Sequence, residues 1–330
     1  MSARPDRGDR RGVALLTVLL LVAVVAVIAV AILDDVRFSI RRTTNAESGA
    51  QARWYALGAE TLARRQIARL NDADAVRTPV DPQWNGRVFA FPIESGSIQA
   101  AIRDGQTCFN LNSVVEGHGD VFQRRALGIE QFVILARTVG VPEGQGRQIA
   151  EALADWIDAD GAPGPGGGED SLYAARNPAY RTAGTLLAEV SELRAVRGVD
   201  SAAYARLRPY VCALPIADLS PVNVNSLTPD LAPLLVMLTE GRLSLPAARR
   251  AIQATPPDGW SDINAFWAQP ALRTLDRLPE TSDQVTVRTL YFTFRADVEF
   301  GGARIVRTSL LEQRSDGRLR TVAQRWTPDE

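Results

Sequence analysis

Five carboxylates fall within sixteen residues in the stretch DWIDADGAPGPGGGED: Asp155, Asp158, Asp160, Glu169 and Asp170, with no basic residue among them. Converging carboxylates repel one another unless a cation or protons intervene. Every charged side-chain donor in the stretch is an oxygen, which favours a hard cation. An irregular glycine-rich loop that can add backbone carbonyls suits calcium better than magnesium. Counted from Asp158, positions one, three and twelve of an EF-hand loop are filled by Asp158, Asp160 and Glu169. Position five is Ala162, which has no side-chain oxygen, and position six is Pro163, where that loop needs glycine. The segment is therefore not an EF-hand. A calcium loop of another shape and a solvated acidic loop both remain open on composition.

Other chemistry is more restricted. The chain has two cysteines, Cys108 and Cys212, and one histidine, His118. These numbers exclude a four-cysteine zinc site, a paired Cys/His finger and a multi-histidine metal centre. A Ser-His-Asp triad would need His118, which sits in EGHGD with no nucleophile elbow nearby. All 37 basic residues are arginine, which excludes lysine-dependent catalysis. The net charge is −1, which argues against a nucleic-acid binder. VNVNSLTPDLAPLL and LPAARRAIQATPP resemble helix-hairpin-helix repeats, but SLPA stands where the phosphate-binding glycine pair belongs.

The elements that must position these residues begin with a membrane-length helix. From Val13 to Leu33 only Thr17 is polar, and 21 residues at ~1.5 Å each cross about one bilayer core. A secretory signal has a shorter apolar core, ~7–15 residues, ending in a small-residue cleavage site. The leader carries Arg4, Arg7, Arg10 and Arg11 against Asp6 and Asp9, while Asp34 and Asp35 follow the span. This polarity puts the N-terminus in the cytoplasm and the bulk of the chain across the membrane, in the periplasm of a Gram-negative cell. No proline interrupts Val36 to Leu70, and Ala52, Tyr55, Ala59, Leu62, Ala63, Gln66, Ile67 and Leu70 recur at helical intervals. A single helix is expected over 13–70.

Beyond the helix, RVFAFPI and SIQAAIRD read as a hairpin, and VTVRTLYFTFRADVEF, ARIVRTSLLEQR and LRTVAQRW read as strands. Between these strand regions the pattern is helical. The expected class is α+β, with the long helix packed on an antiparallel sheet and a large all-α domain inserted. The divisions fall at 1–12 (leader), 13–70 (helix), 71–112 (first sheet part), 113–282 (helical insert) and 283–330 (last strands). The ends of such an insert must lie close together for the sheet to close. In an oxidising periplasm Cys108 and Cys212 should pair; two separate buried thiols are the alternative.

The arginine leader, the glycine before the apolar run and the long first helix together resemble type IV prepilins and pseudopilins, which implies that the α+β arrangement is a pilin-like fold. The resemblance implies cleavage by a prepilin peptidase between Gly12 and Val13 and methylation of the new N-terminus. It implies a glutamate five residues into the mature chain, where this sequence has Thr17. That glutamate is thought to meet the N-terminal ammonium of an adjacent subunit. Its absence points to a subunit with none above it, at the fibre tip; a mere variant at that position is the alternative.

ALADWIDADG, GGGEDSLY, NPAYRTA, SELRAVRG, RLRPYVCALP and VNVNS are similar to the large minor pseudopilins of type II secretion systems, the GspK family. That resemblance spans essentially the whole chain. It implies a non-enzymatic assembly protein, anchored in the inner membrane, that caps the pseudopilus tip and works with the minor pseudopilins GspI and GspJ and other pseudopilins. It also implies structural calcium in the acidic loop, with Asp158, Asp160, Glu169 and Asp170 foremost and Asp155 one turn earlier. A tip subunit of a type IV pilus and a membrane-tethered hydrolase with a metal at the same acids are the alternatives; no nucleophile–base pair supports the second.

Overall fold

One uninterrupted helix, α1 (Asp9–Ala73), carries the apolar run into the folded body. The computed structural model describes residues 9–74, 76–80, 84–119, 121–158, 160–276 and 279–327. Arg4, Asp6 and Arg7 of the expected leader lie outside them. Gly12 and Val13 are exposed within the helix. The stretch from Gly12 onward is long and apolar enough to cross a membrane, and its apolar part is not buried against the body. Thr17 needs no outside partner, because its Oγ1 donates to the Ala14 carbonyl at 2.9 Å.

The second half of α1 is amphipathic. Ala52, Ala56, Ala59, Ala63, Ile67 and Leu70 are buried along one face, at intervals of three and four residues. Leu62 departs from the expected stripe: it is exposed, and Ala56 takes the inward place. Four of these inward residues are alanine, which lets the helix axis approach the sheet closely. They meet Ile98, Ile102, Phe292, Phe294, Ala296, Val298 and Leu311 in one core. Burying each isoleucine or phenylalanine there stabilises the contact by about 1.5–3 kcal/mol.

The sheet has five antiparallel strands in chain order: β1 (Val88–Ile93), β2 (Gly96–Asp104), β3 (Tyr291–Phe300), β4 (Ala303–Gln313) and β5 (Leu319–Arg325). On β3, Phe292, Phe294, Ala296 and Val298 alternate inward towards α1. The expected last strand region is shorter at its start. Val285–Thr286 does not join this sheet but pairs in parallel with Val222–Asn223. The reason is spatial, since Val285 and Val287 belong to the insert's core.

The whole insert hangs from the single β2–β3 connection. Its two ends are hydrogen-bonded neighbours: Asp104 lies opposite Phe292, and the Gly105 N–H donates to the Tyr291 carbonyl at 2.7 Å. Asp104 is buried and accepts from the Thr289 hydroxyl at 2.6 Å, Asn223 Nδ2 at 2.8 Å and the Gln106 N–H at 2.7 Å. This carboxylate ties both ends of the insert and its middle together. Burial nevertheless pushes its pKa upward, against those hydrogen bonds.

Inside the insert a short device occurs twice. FNLNS at 109–113 and VNVNS at 222–226 each form a two-residue parallel strand followed by a 3-10 turn. In the first, Asn110 Oδ1 caps the Asn112 N–H, and Asn112 exchanges two hydrogen bonds with the Leu187 backbone. In the second, Asn223 Oδ1 caps the Asn225 N–H, and Asn225 exchanges two with the Trp260 backbone. An asparagine amide can both donate and accept, so one side chain satisfies a peptide unit as a neighbouring strand would. Helices α2 (Ala126–Thr138) and α3 (Glu143–Ile157) follow the first copy, and the helices 232–238 and 245–253 follow the second.

Candidate metal centre

The acidic stretch begins at the C-terminal end of α3. Asp155 sits in its last turn and Asp158 is its C-cap. Carboxylates there face the negative end of the helix dipole, an arrangement that calls for a compensating cation. The loop after Asp158 folds back over the helix end. Asp155, Asp158 and Glu169 come together, with one oxygen from each lying within 4.8 Å of the others.

The loop's glycines make this closure possible. A Cβ on Gly167 would lie 1.8 Å from Asp155 Oδ2, so only a bare backbone can approach that carboxylate. Asp155 is fully buried and accepts from the Gly168 N–H at 2.7 Å and the Gly164 N–H at 3.1 Å. Arg197 Nη1 anchors the same turn through the Gly167 carbonyl at 2.7 Å. Beneath the loop, Trp156 packs edge-on against Tyr173, with ring centroids 5.1 Å apart.

Asp158 and Glu169 are held differently. Both Asp158 carboxylate oxygens and Glu169 Oε1 are buried and have no hydrogen-bond partner among the described residues. An uncompensated buried carboxylate is strongly unfavourable. Burial, reinforced by Asp160, pushes the Asp158 carboxyl up to about 6. Burial also raises Glu169, with Asp158, Asp160 and Asp170 adding to it. These orphaned oxygens fit a hard cation: the donor set is all carboxylate, the charge is concentrated, and the described residues supply no hydrogen-bond donor to these three atoms. The cluster opens on a cavity of about 510 Å³ lined in part by Asp158, Glu169 and Asp170.

Asp160 and Asp170 are placed outside the converging group. Asp160 is exposed and its Oδ1 accepts from the Ala162 N–H at 2.8 Å. Asp170 is exposed and accepts from the Thr182 N–H and hydroxyl, both at 2.9 Å, which hold its carboxyl below the usual range. The sequence reading overlooked Arg124, at the end of the hairpin strand Val121–Arg124. Its guanidinium ion-pairs with Asp155 and lies 3.9 Å from Asp158 and 3.5 Å from Glu151. It is 31 residues from Asp155, and no local pattern links them.

Away from this centre, the Cys108 and Cys212 sulfurs are bonded at 2.02 Å. They lie beside the parallel pairing of 109–110 with 211–212. His118 is exposed at the end of the strand Val115–His118.

Two family models, both described as type II secretion system (T2SS) protein K, match residues 107–216 and 222–288. Each matched segment contains one copy of the Asn-x-Asn-Ser device. The type II secretion system protein K of Klebsiella pneumoniae is 38% identical over 326 residues, covering 97% of this chain and 99% of that protein. The protein K of Pseudomonas aeruginosa is 32% identical over 327 residues, covering 96% and 93%. Among solved structures, a chain from the crystal structure of the GspK-GspI-GspJ complex of enterotoxigenic Escherichia coli superposes with a TM-score of 0.77. It is 30% identical, covering 87% of this chain and all of that one.

Proposed function

Because the chain belongs to the type II secretion system protein K family, we propose that it is a minor pseudopilin that assembles at the tip of the pseudopilus with GspI and GspJ. The likeness, over 87% of this chain, to a chain of the GspK-GspI-GspJ complex carries this reading. The role is one of assembly, not catalysis.

The pieces of the molecule divide the work. The apolar start of α1 holds the subunit in the inner membrane, with its N-terminus cytoplasmic and its body periplasmic. Prepilin peptidase cuts between Gly12 and Val13, which discards the arginine leader and keeps the span as a packing rod. Small residues such as Ala23, Ala26 and Ala29 allow close approach of partner helices within the fibre. The helical insert, borne on one connection of the sheet, blocks addition of a further subunit above. The acidic loop binds calcium as a structural ion: Asp158 and Glu169 supply free carboxylate oxygens, and Asp155 closes the loop around them. Cys108 and Cys212 brace the insert's base in an oxidising compartment.

The test is co-purification. A tagged full-length chain is co-expressed with the GspI and GspJ proteins encoded with it, and the membranes are extracted in mild detergent. A stable ternary complex is expected. Recovery of the tagged chain without either partner, under conditions where both are present and folded, would overturn the reading.

A further inference from the structure

We propose that Arg124 is a resident counter-cation of the acidic loop, which holds the loop closed before a divalent cation arrives and lowers the affinity with which that cation binds. The inference rests on the metal reading above and concerns one residue of this chain.

One guanidinium reaches three carboxylates. It ion-pairs with Asp155, Nη1 lies 3.5 Å from Glu151 Oε2, and Nε lies 3.9 Å from Asp158 Oδ2. The loop is shaped around it, since a Cβ on Gly164 would lie 1.7 Å from Arg124 Nη1. A side chain at that position would force the guanidinium to shift.

The compensation is one-sided. Asp155 is satisfied by Arg124 and by the Gly164 and Gly168 N–H groups. Asp158 and Glu169 keep three buried oxygens without a hydrogen bond among the described residues. Asp155, Asp158, Glu169 and the nearby Glu151 carry four negative charges, and Arg124 offsets one of them, which leaves the cluster net negative towards a divalent cation. Arg124 thus neutralises the Asp155 side of the cluster and leaves the Asp158 side for the metal. Like charges a few ångströms apart in a partly desolvated site repel strongly, so the bound cation feels the guanidinium. Removing Arg124 should then act with opposite signs on two quantities. The metal-free loop loses a partner and becomes less stable, while the cation binds more tightly.

The experiment uses the full-length chain in detergent and calcium as the probe, followed by isothermal titration calorimetry. Arg124→Gln is expected to bind calcium about tenfold more tightly than wild type, yet to melt at a lower temperature in EGTA. Arg124→Lys, which keeps the charge, is expected to return the calcium affinity towards wild type. A merely structural role would lower stability and leave affinity equal or weaker, and that result would overturn the proposal while sparing the metal reading. Absence of calcium binding in the wild type would overturn both. Should Arg124→Gln fail to fold without calcium, the wild type decides. With ¹⁵N-labelled arginine, the Nε–H resonance of Arg124, assigned from the Arg124→Lys spectrum, is expected to shift as calcium is added. A resonance that does not move would end the proposal.

Discussion

Arg307 on β4 donates from Nε to Glu60 on α1 at 2.6 Å, a charged pair buried inside the helix–sheet contact and bridging 247 residues of sequence. Glu60 also accepts from Ser309 at 2.9 Å and from Arg64 at 2.9 Å. The Arg307 guanidinium stacks on Trp326, 4.5 Å from its ring centroid. With Asn71 donating to Gln313 and Arg64 to the Leu319 carbonyl, these groups fix the rotation and height of the helix on the sheet.

Removing one member of that pair strands the other. Glu60→Gln or Arg307→Met is expected to lower stability by about 3–5 kcal/mol, whereas replacing both by apolar residues should cost far less. Urea denaturation of the full-length chain in detergent, followed by tryptophan fluorescence, measures this. Burial raises the Glu60 pKa, but the hydrogen bonds from Arg307, Arg64 and Ser309 outweigh it and hold the carboxyl below its ordinary 4.5. A lowered pKa in the fold means stability that is present above 4.5 and lost as pH falls through the folded value. The wild type should therefore lose stability more steeply on acidification than Glu60→Gln.

The acidic loop has the opposite sign. The Asp158 carboxyl is pushed up to about 6, so in the absence of metal its contribution to stability is greatest when it is protonated. That contribution declines as pH rises from about 4 through 6. A cation that binds the ionised form reverses the loss. Calcium at a hundredfold excess over Kd should add about 2.7 kcal/mol. The rise in melting temperature on adding calcium should be larger at pH 7.5 than at pH 4.5. Asp158→Asn should abolish the calcium increment and flatten the pH dependence. An increment that is unchanged in Asp158→Asn would remove Asp158 from the ligand set.

The bond between Cys108 and Cys212 closes a loop with a sequence separation of 104. In the chain-entropy model a loop of this length contributes up to about 4–5 kcal/mol, and measured losses are typically 2–4. Cys108→Ser combined with Cys212→Ser should lower the urea midpoint accordingly. Non-reducing peptide mass spectrometry of the wild type should recover the two cysteine peptides joined.

Thr17 satisfies its own hydroxyl within α1, so Thr17→Val should leave secretion of exported proteins unchanged. Thr17→Glu places a carboxylate in hydrocarbon with no ammonium to meet. It should lower membrane retention of the chain, by about 2.5–3.5 kcal/mol if the residue sits at the centre of the span. Membrane fractionation and a secretion assay on the two variants distinguish these outcomes.

Patterns that repeat locally were legible in the sequence by itself. The run from Val13 to Leu33, the three- and four-residue spacing from Ala52 to Leu70 and the alternation along β2 and β3 each follow from hydrophobic burial at a fixed period. The clustering of acids in DWIDADGAPGPGGGED was equally plain. Which acids converge was not, because that depends on where the chain turns. Asp160 and Asp170 bond backbone and hydroxyl groups nearby, while Asp158 and Glu169 are left facing inward. The partners Arg124 for Asp155, Arg307 for Glu60 and Leu187 for Asn112 stand 31, 247 and 75 residues away. Period and composition encode what a segment buries, whereas the meeting of distant charges is fixed only when the sheet closes over α1 and the insert folds back on its single connection.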